Sequence, residues 1–170
     1  MVSDTAPLRP TKAVVRKALC DILRPVIHDL VVLDLFAGTG QVSRDLLSEG
    51  ASKAFAVDRR SEPDDCPEDL RWFQQPVDSF LSSGPPQPVG LVFLDPPYQQ
   101  GEARDTLHIL DGVNWIKKRG LIAVETDRDT NLESFENVSN RFVVKRNRRY
   151  GGTRLWIFQE PADDRGYSNE

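Results

Sequence analysis

The stretch from Val31 to Asp58 constrains this chain more than any other. Val31, Val32, Leu33, Asp34, Leu35 and Phe36 form a nearly continuous apolar run, the kind buried on both faces of a parallel sheet, and it stops at Ala37, Gly38, Thr39 and Gly40. Residues 41–49 then read as a helix closed by Gly50, and Lys53 to Val57 as a second short strand ended by Asp58. Strand, glycine turn, helix and strand make one βαβ unit.

The rest of the chain extends that pattern. Pro10 and Thr11 supply a helix start ahead of Val15, Ala18, Leu19 and Ile22, which predicts a helix over 11–23. Residues 59–70 are acidic and carry Pro63 and Pro67, both hostile to a helix interior, so the second crossover is predicted as a loop or single turn. Strands are expected over 71–75, 89–94 and 121–124, a loop over 82–88, a helix around Thr106 to Val113 and a short one over 131–137. Phe142 to Lys145 and Leu155 to Phe158 read as an antiparallel hairpin around Tyr150, Gly151 and Gly152. Strands alternating with helices and ending in a hairpin predict a three-layer, mostly parallel α/β sheet of seven strands. Its domain is expected over 9–160, with a flexible N-terminus at 1–8 and a disordered tail at 161–170. Ligands in such sheets bind beyond the carboxyl ends of the strands, and Asp34, Asp58 and Asp95 all fall at or near such ends.

Two of those ends carry recognisable chemistry. The glycine turn lets a ligand approach the backbone and aims helix N–H groups at it, the alternative being a tight turn that binds nothing. A dinucleotide site would prefer a third glycine where this chain has Ser43. Asp58 stands where a carboxylate accepts hydrogen bonds from a ribose diol. Asp95, Pro96, Pro97 and Tyr98 are more specific. The amino group of a nucleobase is a poor nucleophile because its lone pair is delocalised into the ring, and two acceptors aimed at its hydrogens localise that pair. Asp95 supplies one acceptor and the carbonyl of Pro96 the other, held in direction by the restricted backbone around the prolines. Tyr98 offers a face on which a base stacks, worth about 1–3 kcal/mol. In-line transfer of a methyl from a sulfonium donor would then be driven chiefly by positioning and electrostatics.

These residues resemble the bacterial 16S ribosomal RNA guanine-N2 methyltransferases of the RsmD type. The resemblance begins at Arg9, Pro10 and Thr11, runs through Val15, Arg16, Ala18, Leu19, Ile22 and Leu23, takes in Asp34 to Gly40 and Asp95 to Tyr98, and closes at Tyr150, Gly151, Thr153 and Leu155. It implies a Rossmann-like methyltransferase fold with the last strand antiparallel and S-adenosyl-L-methionine as cofactor. It also implies a cofactor site of Asp34, Phe36, Ala37, Gly38 and Gly40, with Asp58 on the ribose. Where the family places an acid or amide against the adenine amino group this chain has Pro76, and Asp78 is the nearby candidate. The catalytic segment would be Asp95, Pro96, Pro97 and Tyr98. Arg9, Thr11, Arg16, Arg148, Arg149 and Tyr150 are the candidates for RNA contact. Only eight residues precede Arg9, where family members carry a basic β-hairpin, and Ala13 and Lys17 replace polar and acidic positions of the leading helix.

Charge limits the function classes. A net charge of −4 argues against a protein that coats nucleic acid non-specifically, so local clusters matter. Arg141, Lys145, Arg146, Arg148, Arg149 and Arg154 form a run that reads equally as a phosphate-binding ribbon or as a protected sheet edge. Trp72, Trp115 and Trp156 read as core, and His28 and His108 as structural or surface residues. Cys20 and Cys66 lie far apart without metal-ligand spacing, so neither zinc nor a disulfide is expected. With no long apolar run, a cytoplasmic monomer acting on ribosomal RNA or the small ribosomal subunit, without membrane or metal, is the expectation. A DNA amino-methyltransferase acting on adenine N6 or cytosine N4 is an alternative, as is a non-catalytic RNA-binding or assembly protein that has kept the fold.

Overall fold

The computed structural model describes residues 13–97, 101–132, 139 and 141–161. Four helices and seven strands follow in chain order: α1 (Ala13–Leu23), β1 (Val31–Leu35), α2 (Gln41–Ser48), β2 (Lys53–Asp58), β3 (Leu70–Gln74), α3 (Val77–Ser83), β4 (Val89–Leu94), α4 (Glu102–Gly112), β5 (Ile116–Asp127), β6 (Val143–Tyr150) and β7 (Thr153–Gln159). All seven strands join one sheet in the order β3-β2-β1-β4-β5-β7-β6. β1 to β5 run parallel, and β7 is antiparallel to both β5 and β6.

Alternation along each strand builds two cores. Leu33, Leu35, Val92, Leu94, Ile122, Val124, Trp156 and Phe158 pack with Phe80 of α3 and Leu107 and Leu110 of α4. The intervening residues Val32, Leu91, Phe93, Ala123 and Ile157 pack with Leu19 and Leu23 of α1 and Val42 and Leu46 of α2. Every residue of β4 is buried, which is why it reads in sequence as an unbroken apolar run. The chain order reverses between β1 and β4, which lie side by side with Leu35 opposite Leu94. That is the position at which sheets of this kind open a crevice for ligands.

The departures from expectation have local causes. α3 was not predicted: its seven residues, three of them serine, are too few for a helical period to register, and Pro76 at the N-cap and Gly84, at φ 73°, close it on both sides. α4 starts at Glu102, four residues ahead of Thr106, where the helix was expected to begin. β5 extends well beyond Leu121–Val124, because Ile116 pairs with Val89 before the exposed Lys117–Arg119 segment and the register shifts afterwards. The hairpin strands are likewise longer, since β6 is an edge strand whose exposed half is cationic and carries no apolar signal. As expected, residues 59–69 hold no helix; Trp72, Cys66 and Leu47 cover the small patch of Ala54, Ala56 and Leu70 instead. Trp156 is fully buried, whereas Trp72 and Trp115 are half-buried. Asn131 and Leu132 are irregular, and the remainder of the helix expected there lies outside the described residues, as do residues 1–8 and the tail beyond 161.

Candidate active site

The glycine turn joins the end of β1 to α2 through three left-handed residues, Phe36 (φ 62°), Gly38 (φ 61°) and Gly40 (φ 73°). Two are glycines, which take that conformation freely; Phe36 does so at a cost of roughly 1–2 kcal/mol. The turn is tied to β2 at two points. Ala37 N–H donates to the Val57 carbonyl at 3.0 Å, and Gly38 N–H donates to Asp58 Oδ2 at 2.8 Å. Asp58 is 8% exposed, and its Oδ1 accepts the Arg60 N–H at 2.9 Å. A side chain at Gly40 would press on the Trp72 ring, whose edge lies 3.2 Å from the position of its Cβ.

Asp34 lies beneath this turn rather than open to it. It is 1% exposed, and its Oδ2 accepts both the Ser43 hydroxyl at 2.6 Å and the Ser43 N–H at 3.2 Å, so it fastens α2 to β1. Ser43, where a dinucleotide site would carry glycine, is therefore the partner of this acid. Burial pushes the Asp34 carboxyl up to about 7, against the opposing effect of the Ser43 hydrogen bonds, and the charges of Asp95 and Asp58 push the same way. The folded chain thus holds this proton more tightly than the unfolded one. The stabilisation is complete below the ordinary value of 3.8 and is lost as pH rises towards 7. Asp34→Asn, which keeps an acceptor for Ser43 but does not titrate, is expected to show a thermal midpoint that falls less than the wild type's between about pH 4 and about pH 7. Parallel curves in calorimetric scans would refute this.

The Asp95 segment sits beside the turn. Its backbone N–H points to the Leu35 carbonyl at 3.4 Å, and its charge reaches Asp34. Asp95 is half-buried, Pro96 buried and Pro97 exposed. Three carboxyl groups, from the ends of β1, β2 and β4, are thus gathered around one glycine turn. Tyr98 lies outside the described residues. Asp78 is exposed in the first turn of α3, where its Oδ1 accepts the Ser79 N–H. Its charge is felt at Glu102 in the first turn of α4, whose carboxyl is raised chiefly by burial.

The RNA candidates separate into different surroundings. Arg9 and Thr11 lie outside the described residues. Arg16 pairs with Asp45 at 2.7 Å and links α1 to α2. Within the basic run, Arg141 is structural, bonding Glu160 and the carbonyls of Val113 and Ile116. Arg154 lies over the Trp156 ring, 4.9 Å from its centroid, and donates to the Thr130 carbonyl. Lys145, Arg146, Arg148 and Arg149 are exposed on β6. A bulge between Val144 and Arg146 sets their pairing: Arg146 and Arg148 oppose Ile157 and Leu155 of the α1-side core, Arg149 opposes Arg154, and Tyr150 packs against the α1 side. Arg148 and Arg149 therefore point to opposite faces of the sheet.

One part of the site escaped the sequence reading. A cavity of about 360 Å³ opens against Pro96 and Pro97, walled by Ala103, Arg104, Glu125, Thr126 and Asp127 among others. Its available signal was Glu125, an acid following the apolar strand segment 121–124 in the same way that Asp58 and Asp95 follow theirs. A second, shallower groove of about 630 Å³ runs along Gly38, Thr39, Arg44, Arg60 and Asp65. The donor set suits a cationic nucleoside. Asp34 Oδ1 is buried without a hydrogen-bond partner among the described residues, Asp58 closes β2, and Gly38 takes the left-handed conformation on the rim of the second groove. S-adenosylmethionine has the ribose and positive charge that these groups would meet.

Comparison with known proteins adds to this geometry. Residues 1–159 match the family described as "Conserved hypothetical protein 95". The chain is 32% identical over 170 residues to "Ribosomal RNA small subunit methyltransferase D" of Escherichia coli strain K12, covering 95% of this chain and 84% of that protein. Among solved structures, "Putative methyltransferase yhhF from Escherichia coli" superposes with a TM-score of 0.76 at 28% identity, over 91% of this chain and 88% of that one. The fold alone is shared with "SMU.776, a putative methyltransferase complexed with SAH", at a TM-score of 0.68 and 12% identity over 85% of this chain and 49% of that one.

Proposed function

The chain belongs to the family of conserved hypothetical protein 95, and from that premise we propose that it transfers a methyl group from S-adenosylmethionine to the exocyclic N2 amine of a guanine in 16S ribosomal RNA. The observation that carries the reading is the meeting of the Asp95–Pro96 segment with the glycine turn at the reversal between β1 and β4. Similarity over nearly the whole chain to a ribosomal RNA small subunit methyltransferase supplies the substrate class.

Bound S-adenosylmethionine supplies an electrophilic methyl on a sulfonium, and Gly38, Gly40 and Asp58 are the residues that would hold it, with Asp34 fixing the turn from below. The protein's own work is at the amine. The Asp95 carboxyl and the Pro96 carbonyl accept its two hydrogens, which draws the nitrogen lone pair out of the ring and aims it at the methyl carbon. The nitrogen forms the new C–N bond as the S–C bond breaks, and the proton it sheds passes to Asp95 and then to solvent. Tyr98 stacks on the base. The target guanine is reached unpaired or extruded, since stacking within a helix covers the ring face from which the nitrogen lone pair must attack the methyl carbon.

Arg146, Arg148 and Tyr150 on the α1 side of β6 would track the phosphate backbone together with Arg9, Thr11 and Arg16; Arg149 would contact RNA only from the other face. Asp78 would meet the adenine amino group. The domain spans 9–160, the chain works as a monomer on the small ribosomal subunit or its RNA, and the cytoplasm is its compartment. Among the described residues no helix is long and apolar enough to cross a membrane. Incubation with radiolabelled S-adenosylmethionine is expected to label small subunits lacking the modification, and nucleoside mass spectrometry to identify N2-methylguanosine. Label appearing only in DNA, or in adenine or cytosine, would overturn the reading.

A further inference from the structure

We propose that Arg154 is a positioning residue for the target base, fastening one wall of the cavity beside Pro96 and Pro97 to the last strand so that the wall stands in place before a base enters. The inference rests on the methyl-transfer reading above and names a residue, away from the reacting amine, that would govern how the base is seated. Register puts Arg154 on the cavity side of the sheet. It opposes Thr126 as Trp156 opposes Val124. Side chains alternate along a strand, so Arg154 and Thr126 share the α4 face on which Trp156 and Val124 are packed. Thr126 lines the cavity, and Asp127, Asp129, Thr130 and Asn131 continue the same wall.

Beyond Asp127 the chain leaves β5, and side chains hold it in place. Asp127 Oδ1 accepts the N–H groups of Asp129 and Thr130, and its Oδ2 accepts the Thr130 hydroxyl. The Arg128 N–H donates to the Gly152 carbonyl in the β6–β7 turn at 3.0 Å. Arg154 adds a tie from the sheet, its Nη1 donating to the Thr130 carbonyl at 3.3 Å, and Arg104 of α4 donates to the next carbonyl, that of Asn131, at 3.4 Å. The Arg154 guanidinium is itself placed by Trp156, over whose ring it lies, and the fully buried Trp156 donates through Nε1 to the Thr126 hydroxyl at 3.2 Å. β7 thus reaches the cavity wall twice, at Thr126 through Trp156 and at Thr130 through Arg154. An unbranched apolar side chain would cover the Trp156 ring as well; what the guanidinium adds is the bond to the wall. A base that must present its amine to a methyl carbon loses rate steeply when its seat moves by about 1 Å.

The probe is the small ribosomal subunit lacking the modification, methylated under single-turnover conditions with saturating S-adenosylmethionine. Arg154→Met keeps a side chain over Trp156 and removes the bond to Thr130, and its maximal rate is expected to fall about tenfold or more. The subunit concentration giving half that rate should stay near the wild-type value, because the proposed phosphate contacts lie on β6, and calorimetric affinity for S-adenosylmethionine should not move. Arg154→Lys, which can still donate to the carbonyl, should recover most of the rate. An unchanged maximal rate in Arg154→Met would overturn the assignment, and so would a lysine variant as slow as the methionine one. A merely structural role would shift half-saturation and cofactor affinity along with the rate, which would overturn it too. The wild-type chain offers a test that needs no variant to fold. In the free protein the Asp129 and Thr130 amides, followed by nuclear magnetic resonance, are expected to exchange with solvent at least about tenfold more slowly than in an unstructured peptide. Exchange at the unstructured rate would mean that no wall stands ready for the base. A wild-type chain inactive on guanine would remove the parent reading and this one with it, whereas each of the other adverse results removes only this one.

Discussion

Asp95→Ala is expected to lower kcat for methyl transfer by about a thousandfold or more, with S-adenosylmethionine binding nearly unchanged. The asymmetry follows from where Asp95 stands. Its backbone is anchored to the Leu35 carbonyl, whereas the turn that would hold the cofactor is tied to β2 through Ala37 and Gly38. Removing the carboxyl group leaves the turn intact and deprives the amine of one of its two acceptors, so the loss falls on the chemical step. Asp95→Asn, which keeps an acceptor but no proton sink, should fall between the alanine variant and the wild type. Single-turnover rates on small subunits, set beside calorimetry with S-adenosylmethionine, separate the two effects, and full activity in the alanine variant would refute the proposed chemistry.

Asp58→Ala is expected to do the reverse, weakening S-adenosylmethionine about tenfold to a hundredfold before any effect on chemistry is seen. The carboxyl group of Asp58 holds the Gly38 N–H at 2.8 Å and the Arg60 N–H at 2.9 Å, and by the proposed reading also a ribose hydroxyl. Hydrogen bonds to charged groups contribute about 1.5–3 kcal/mol each, and the variant loses a ligand contact together with the tether that shapes the turn. Calorimetric titration measures this directly. Wild-type affinity in Asp58→Ala would show that the turn keeps its form without β2 and that the ribose is held elsewhere.

Much of this was legible in the sequence, and the remainder was not for identifiable reasons. β1 and β4 announce themselves because strands buried on both faces are continuously apolar, and the glycine turn between β1 and α2 punctuates them. The prolines of the second crossover told correctly against a helix there. α3 and the outer half of β6 were hidden, the first by its brevity and the second because an edge strand needs no apolar residues on its exposed side. At the site, the sequence placed Asp34, Asp58 and Asp95 at strand ends but said nothing of their directions. Asp34 faces down to Ser43, and Asp58 reaches across to Gly38. Pairings of this kind depend on which strands become neighbours, and that order, 3-2-1-4-5-7-6, is not written in any local stretch.

The last strand of the sheet also decides what company the molecule keeps. A bare β-edge ordinarily invites a further strand, yet here any newcomer of the same kind would bring Lys145, Arg146, Arg148 and Arg149 up against their own copies. Like repels like along that border, while a polyanion meets no such barrier. Cations on both faces of that strand therefore guard against self-stacking, and by the proposed reading the same charges would meet nucleic acid.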